Sequence, residues 1–334
     1  MNSDSHSSPR PIVFDPASRD PAVLVGFDGS DQSFQALHYG ALAARSSGRI
    51  LTVVTAFTVP APVYTTLTAV PNTSEAKTAA SSAKSVLAEA RAYLRDYPGK
   101  VFYRVEQGDA AGVLVDLSAV AELVVVGSRG RGGFVGRIMG SVSSALPAHA
   151  YCPTVVVHRQ YVTSTGDGTD RFAPPSDPRP VIVGIDRSKH SRVAALHAAQ
   201  VAQEIGTTLH MLMALPSLEG WADWYPELGT TDQGLVERRT SQLERSLQAE
   251  VDWVAGHYPT LALTAAVKPG DPVILLARST ARAQLTVVGN RGRSGFTGVL
   301  LGSVSRGVLL RAEGPVMVVP DIEDERLNNQ PQFS

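Results

Sequence analysis

One cysteine, Cys152, in 334 residues excludes a disulfide within the chain and a thiol redox pair. That scarcity fits a reducing compartment, and we expect a cytoplasmic protein. Charge of either sign is nearly balanced, with a net charge of -1, so no long-range field draws the chain to nucleic acid or to an anionic membrane. Neither is an expected partner. No apolar run approaches the roughly 20 residues that a bilayer crossing needs. Residues 1–20, rich in Ser, Pro and Asp, lack the apolar core of a secretory signal and read as a disordered leader of a soluble chain.

Familiar catalytic spacings are missing as well. The eight histidines show neither H-x-E nor H-E-x-x-H spacing, so no metal site is expected. The G-x4-G-K-[ST] phosphate loop does not occur, and no lysine stands in the glycine-rich loops, which argues against P-loop hydrolysis machinery. A G-x-G-x-x-G turn after the first strand and a G-x-S-x-G nucleophile elbow are also absent, which disfavours a dehydrogenase and an α/β-hydrolase. No catalytic residue is assigned. Cys152, just before Pro153, reads as a buried structural residue.

What is present is a repeat. Val25-Gly26-Phe27-Asp28-Gly29-Ser30 aligns with Val183-Gly184-Ile185-Asp186-Arg187-Ser188 at an offset of 158, and the offset carries Ala56 onto Ala214. Further on it becomes 162, aligning Gly127, Gly130, Gly140 and Ser141 with Gly289, Gly292, Gly302 and Ser303. A period this long marks a duplicated domain, because solenoid units run to only about 20–50 residues. We divide the chain into the leader, a first domain at 21–158, a Pro- and Gly-rich linker at 159–179, a second domain at 180–320 and a tail at 321–334.

Within each copy, short apolar runs alternate with amphipathic stretches. Strands are predicted near Ala22–Phe27, Ile50–Phe57, Val101–Val105, Leu123–Val126 and Thr154–Val157, and near Val181–Ile185, Thr208–Leu215, Leu261–Val267, Leu285–Val288 and Val316–Val319. Runs such as Leu123-Val124-Val125-Val126 lack polar alternation, as strands covered on both faces do. Leu243, Leu247, Val251 and Val254 recur at helical spacing. The order implies an α/β protein of two tandem, doubly wound, five-stranded parallel-sheet domains of Rossmann-like type.

Ligands of such sheets bind beyond the carboxyl ends of the strands, where strand order reverses. Two segments per copy fall there. In the turn after the first strand, Asp28 and Asp186 suit a ribose hydroxyl or an adenine amine; capping of the next helix is the other role open to them. The second segment runs from Gly127 to Ser141 and carries five further glycines. Such a loop can turn amides inward around an anion. It then opens a helix at Ser141-Val142-Ser143, whose free N–H groups and dipole suit phosphate, with hydroxyls as further donors. The second copy repeats this as Gly289-Asn290-Arg291-Gly292 and Gly302-Ser303-Val304-Ser305.

The pattern G-x2-G-x9-G-S after a strand, paired with G-x-D-x-S after the first strand, resembles the ATP-binding universal stress proteins, over both copies. The resemblance implies a fold like that of the adenine nucleotide alpha hydrolases and one ATP per domain, with magnesium as an optional companion. It implies contacts from Gly26, Asp28, Ala56, Val126, Gly127, Arg129, Gly130, Gly140, Ser141, Val142 and Ser143. The matching positions are Gly184, Asp186, Ala214, Val288, Gly289, Arg291, Gly292, Gly302, Ser303, Val304 and Ser305. It also implies pairing of the two fifth strands into an internal pseudo-dimer, a homodimer of chains and a regulatory protein partner.

Two departures stand out. Arg187 replaces Gly29, adding a cation or crowding the turn, and Pro147 falls within the first phosphate helix, where it is expected to bend or shorten it. Two functions remain open: a stress-response module regulated by nucleotide, and a slow ATPase or nucleotidyl-transfer enzyme. The first is favoured because the loops carry arginines but no adjacent carboxylate to position a nucleophile.

Overall fold

The computed structural model describes residues 22–59, 73–130, 139–162, 170–174, 176–215, 233–292 and 301–331. In the first half, β1 (Ala22–Gly26), α1 (Asp31–Ser46), β2 (Ile50–Phe57), α2 (Thr73–Tyr93), β3 (Val101–Gln107), α3 (Ala110–Ser118), β4 (Leu123–Gly127), α4 (Ser141–His149) and β5 (Thr154–Val157) follow in order. The second half repeats them as β6 (Val181–Gly184), α5 (Lys189–Glu204), β7 (Leu209–Leu215), α6 (Gln233–His257), β8 (Leu263–Pro269), α7 (Pro272–Ser279), β9 (Leu285–Gly289), α8 (Ser303–Arg311) and β10 (Val316–Val319). Strand ends shift from the sequence reading by a few residues; β8, for example, begins at Leu263 instead of Leu261.

The strand order β3-β2-β1-β4-β5-β10-β9-β6-β7-β8 is that of two doubly wound parallel sheets fused into one ten-stranded sheet. Within each half all neighbours are parallel. The seam is antiparallel, with Val156 opposite Val316 and Val155 opposite Met317. Every residue of β5 and β10 is buried, which explains why, Thr154 apart, both read as apolar runs. Complete burial of each such valine stabilises the fold by about 1.5–3 kcal/mol. The seam is reinforced by His158 Nε2, 2.8 Å from the Leu309 carbonyl, and by Arg49, 3.2 Å from Glu204.

Two cores flank the sheet. Helices α1, α2, α5 and α6 cover one face, burying Leu37, Leu87, Leu196 and Leu247. Helices α3, α4, α7 and α8 cover the other with Leu114, Leu146, Leu276 and Val308. Strand order reverses between β1 and β4, and again between β6 and β9, so crevices open at the carboxyl ends of those pairs.

One sequence expectation changes here, and both the connection between the domains and the tail are anchored to them. Helix α4 runs through Pro147 to His149 and spans nine residues, as α8 does without a proline. Pro147 lacks the N–H that would donate to the Ser143 carbonyl, yet the helix keeps the same nine-residue length as α8. The Pro- and Gly-rich connection is anchored where it is described: Phe172 is fully buried, stacked 5.4 Å from His38, and Asp170 pairs with Arg45 at 2.6 Å. The tail forms a 3-10 turn at Glu325–Asn329 and buries Ile322 and Leu327. The leader lies outside the described residues, as do the greater parts of both glycine loops, residues 131–138 and 293–300.

Candidate functional site

At the tip of β1 the chain must turn sharply into α1, and Gly29 takes φ 78° to do so. Asp28 braces the turn: its Oδ1 accepts from the Ser30 amide at 3.0 Å and the Ser30 hydroxyl at 2.6 Å. The N-cap of α1 is Ser30, which accepts from the Ser33 amide, so the capping role open to Asp28 belongs to its neighbour. The other oxygen, Oδ2, faces Gly130 closely enough that an added Cβ would collide with it. The second copy matches closely: Asp186 Oδ1 accepts from Ser188 at 3.0 and 2.6 Å, and a Cβ on Gly292 would lie 2.7 Å from Asp186 Oδ2. Each half therefore brings the strand-one aspartate against the first part of its glycine loop.

The glycines serve different ends. A Cβ on Gly127 would sit 2.8 Å from the Gln32 carbonyl, and one on Gly289 2.9 Å from that of His190; these two let the helix start cross the strand tip. Gly26 and Gly184 make room for Leu114 and Leu276, with 2.8 and 2.9 Å to their methyls. Gly140 differs. A Cβ there meets nothing closer than 3.5 Å, and its φ of -69° suits any residue, so no protein contact described requires a glycine. Among the described residues, the missing side chain leaves the approach to the start of α4 open.

Among the described residues no side chain caps α4 or α8. An exposed helix start carrying unpaired N–H groups and the positive end of the dipole favours an anion. Not every expected donor is free for one. The Gly140 and Gly302 amides are bonded to the Ser128 and Asn290 carbonyls at 2.9 and 2.6 Å. The hydroxyls of Ser143 and Ser305 are buried and donate to Ser128 and Gly289 carbonyls at 2.7 and 2.6 Å. They were expected as phosphate donors; instead they pin the helix to the loop. Ser141 and Ser303 are exposed at the first helical positions.

The remaining residues form walls. Ala56 and Ala214 are half-buried near the ends of β2 and β7, opposite Glu106 and Lys268. Val126 and Val288 direct their side chains into the α3–α4 and α7–α8 core, with Val142 and Val304 packed against the same cluster. Arg129 and Arg291 stand next to Gly130 and Gly292 at the loop entrances. Sequence reasoning missed two ties that hold the first site together: Thr55 Oγ1 donates to the Phe27 carbonyl at 2.7 Å, and Ser128 Oγ donates to Gln32 Oε1 at 2.6 Å. Among the described residues no three His, Cys, Asp or Glu are placed to hold a metal ion. No helix of these residues is long and apolar enough to cross a membrane.

The second site carries its own features. Arg187 adopts φ 68° where the first copy has glycine, at a cost of roughly 1–2 kcal/mol. Arg291 Nε and Asn290 Oδ1 are buried and have no hydrogen-bond partner among the described residues. Arg192 and Glu250 form a buried pair at 2.8–3.0 Å, and Arg192 also reaches Gln330 and the Pro331 carbonyl. Burial pushes the Glu250 carboxyl up, against the opposing pull of Arg192. Asp321 approaches Lys189 at 3.4 Å and His190 at 3.5 Å. The tail thus grips the first turn of α5, beside Asp186.

In both halves an aspartate turn thus faces the entrance of a glycine loop, and a helix start lies at the loop's far end. The family model for the universal stress protein family matches residues 21–158 and again 178–320. The chain belongs to the universal stress protein family. Universal stress protein Rv2623 of Mycobacterium tuberculosis is 35% identical over 232 residues, covering 68% of this chain and 71% of that protein. A universal stress protein of Mycolicibacterium smegmatis is 34% identical over 306 residues, covering 89% and 96%. Among solved structures, a universal stress protein from Archaeoglobus fulgidus superposes with a TM-score of 0.59 at 20% identity over 90% of this chain and 98% of that one, a likeness of fold.

Proposed function

We propose that each half of this universal stress protein binds one adenine nucleotide, ATP, and that occupancy changes what the protein presents to a regulatory partner. The observation that carries this reading is Gly140. It leaves the mouth of an uncapped helix open although the protein contacts described tolerate a side chain there. A ligand phosphate at that mouth accounts for the glycine, and the exposed Ser141 hydroxyl and the dipole supply neutral attraction. Asp28, across the crevice, suits the nucleoside end. Magnesium is an optional companion of the phosphates.

A binding role is favoured over hydrolysis by the use of Asp28: one of its oxygens is engaged by Ser30, so the carboxylate beside the loop braces a turn instead of orienting water. The test is direct. Nucleotide released from freshly purified protein is identified by mass spectrometry, and titration of the stripped protein with ATP should give two sites per chain. A chain that binds no adenine nucleotide at millimolar concentration overturns the proposal. Sustained ADP release of several turnovers per site per minute would replace it with the enzyme.

A further inference from the structure

Over the seam, α1 and α5 leave a cleft between them that is floored by strands of both halves. Tyr39 and Leu42 of α1 line one wall, Val201 and Ile205 at the end of α5 the other, and Leu285 and Met317 lie beneath. The four wall residues are only partly buried, and Val162 at the rim is 80% exposed. Among the described residues the cleft measures about 1430 Å³, more than the roughly 300–1,000 Å³ of a small-molecule site and room enough for a peptide segment. Acids outnumber bases in this lining: Arg49 serves both Glu122 and Glu204, and Glu323 and Glu325 stand on the side of the tail. An occupant with apolar side chains and a cation would complement it.

The chain itself supplies such a segment, and it enters at the rim. β1 begins at Ala22, whose carbonyl accepts from the Glu122 amide, and Val23, Glu122 and Leu123 all line the cleft. Residues ahead of Ala22 therefore leave the sheet beside it. Among them Pro11-Ile12-Val13-Phe14 is the longest apolar run, with Arg10 next to it. Phe14 precedes Ala22 by eight residues, an extended reach of about 26 Å. From β1 across β4, β5 and β10 to β9 is four strand spacings, about 19 Å, so the run can reach the wall formed by α5. The other segment that adjoins the rim, residues 163–169, has the sequence Thr-Ser-Thr-Gly-Asp-Gly-Thr and no large apolar side chain to offer. We infer that Ile12, Val13 and Phe14 occupy the cleft, so that the leader of the first half clasps α5 of the second and covers the seam. This inference is independent of the nucleotide reading.

Two measurements on the full-length chain provide the test. In a chain carrying Cys152→Ala, Val13→Cys paired with Val201→Cys should close a disulfide within one chain under mild oxidation, read by mass spectrometry of unreduced peptides. Val13→Cys paired with Leu310→Cys, on a helix of the opposite face, should not. Separately, Ile12→Asp with Phe14→Asp should empty the cleft without touching the described fold. Fluorescence of the neutral apolar dye Nile red should then rise severalfold, and a peptide of residues 8–20 added in trans should reverse the rise. Should the double-cysteine chain fold poorly, the dye measurement decides alone. Disulfides formed only between chains overturn the inference and give the cleft to the leader of a second copy. Bonding to both faces alike overturns it as well. Strong dye binding that the two aspartates leave unchanged does so too, and leaves the cleft to a small apolar ligand.

Discussion

Gly127 and Gly140 bound the same loop, yet substitution at each should damage a different property. At Gly127 an alanine Cβ would lie 2.8 Å from the Gln32 carbonyl oxygen and 2.9 Å from its carbon. Those are backbone atoms of α1, so the helix start must move, and overpacking of that kind costs about 1–3 kcal/mol. For a unit of this size each kcal/mol lowers the melting temperature by roughly 2–4 °C. At Gly140 even valine begins from a Cβ no closer than 3.5 Å to Arg129, Ser143 or Ser128, with backbone angles that suit it. Loss of a favourable N-cap glycine and gain from a stiffer unfolded chain roughly offset, leaving ligand-free stability within about 1 kcal/mol. The deficit should appear only with nucleotide. At a hundredfold excess over Kd, each occupied site adds about 2.7 kcal/mol, and Gly140→Val should forfeit one such increment and halve the stoichiometry. Differential scanning fluorimetry with and without ATP, beside calorimetric titration, reads both quantities. A Gly140→Val chain that melts as early as Gly127→Ala without ligand, or that still binds two nucleotides, refutes the reasoning.

Further outcomes follow from the same geometry. Ser143→Ala removes a buried donor from the Ser128 carbonyl and should cost about 1–3 kcal/mol of ligand-free stability with little change in ATP affinity; the opposite pattern in denaturant melts and titrations would return Ser143 to the phosphate site. Arg192→Met leaves Glu250 buried without its partner and should destabilise by about 3–5 kcal/mol, whereas Arg192→Met with Glu250→Leu should recover most of that. His38 is held to a pKa of about 4 by burial, with Arg171 adding to it. Above about pH 6.5 neither folded nor unfolded His38 is charged. Below it the unfolded state binds a proton that the folded state refuses, so stability falls as the pH drops toward 4, by about 3 kcal/mol for this group. The stability difference between the unsubstituted chain and His38→Phe should therefore shrink with acid over that window; a pH-independent difference refutes the assignment.

Much of the fold could be read from the chain because its strands are covered on both faces, and Leu123–Val126 and Thr154–Val157 admit few other interpretations. The internal repeat then located both crevices, since Asp28 and Asp186 hold matching positions. Roles within the crevices were harder to see. Gly26, Gly127 and Gly140 are one residue type, yet the first yields to Leu114, the second to a helix backbone, and the third to no described protein atom. Ser141 and Ser143 look alike in sequence, and only the helical rotation sends one outward and the other into a carbonyl. Composition misled where a single side chain decides the outcome. Phe172, amid Pro and Gly, fills a hole lined by His38, Tyr93 and Tyr97 that no local pattern announces.

The antiparallel seam has a consequence for assembly. By burying β5 and β10 against each other, it consumes one rim of each sheet and leaves β3 and β8 as the outermost rails. Both are defended: Arg104 and Glu106 pair along β3, Lys100 covers the ring of Phe102, and β8 ends in Lys268 and Pro269. Charge and proline on a rim discourage a foreign strand from docking. Among the described residues, growth of the sheet by strand addition is thus blocked at the centre and resisted at both flanks.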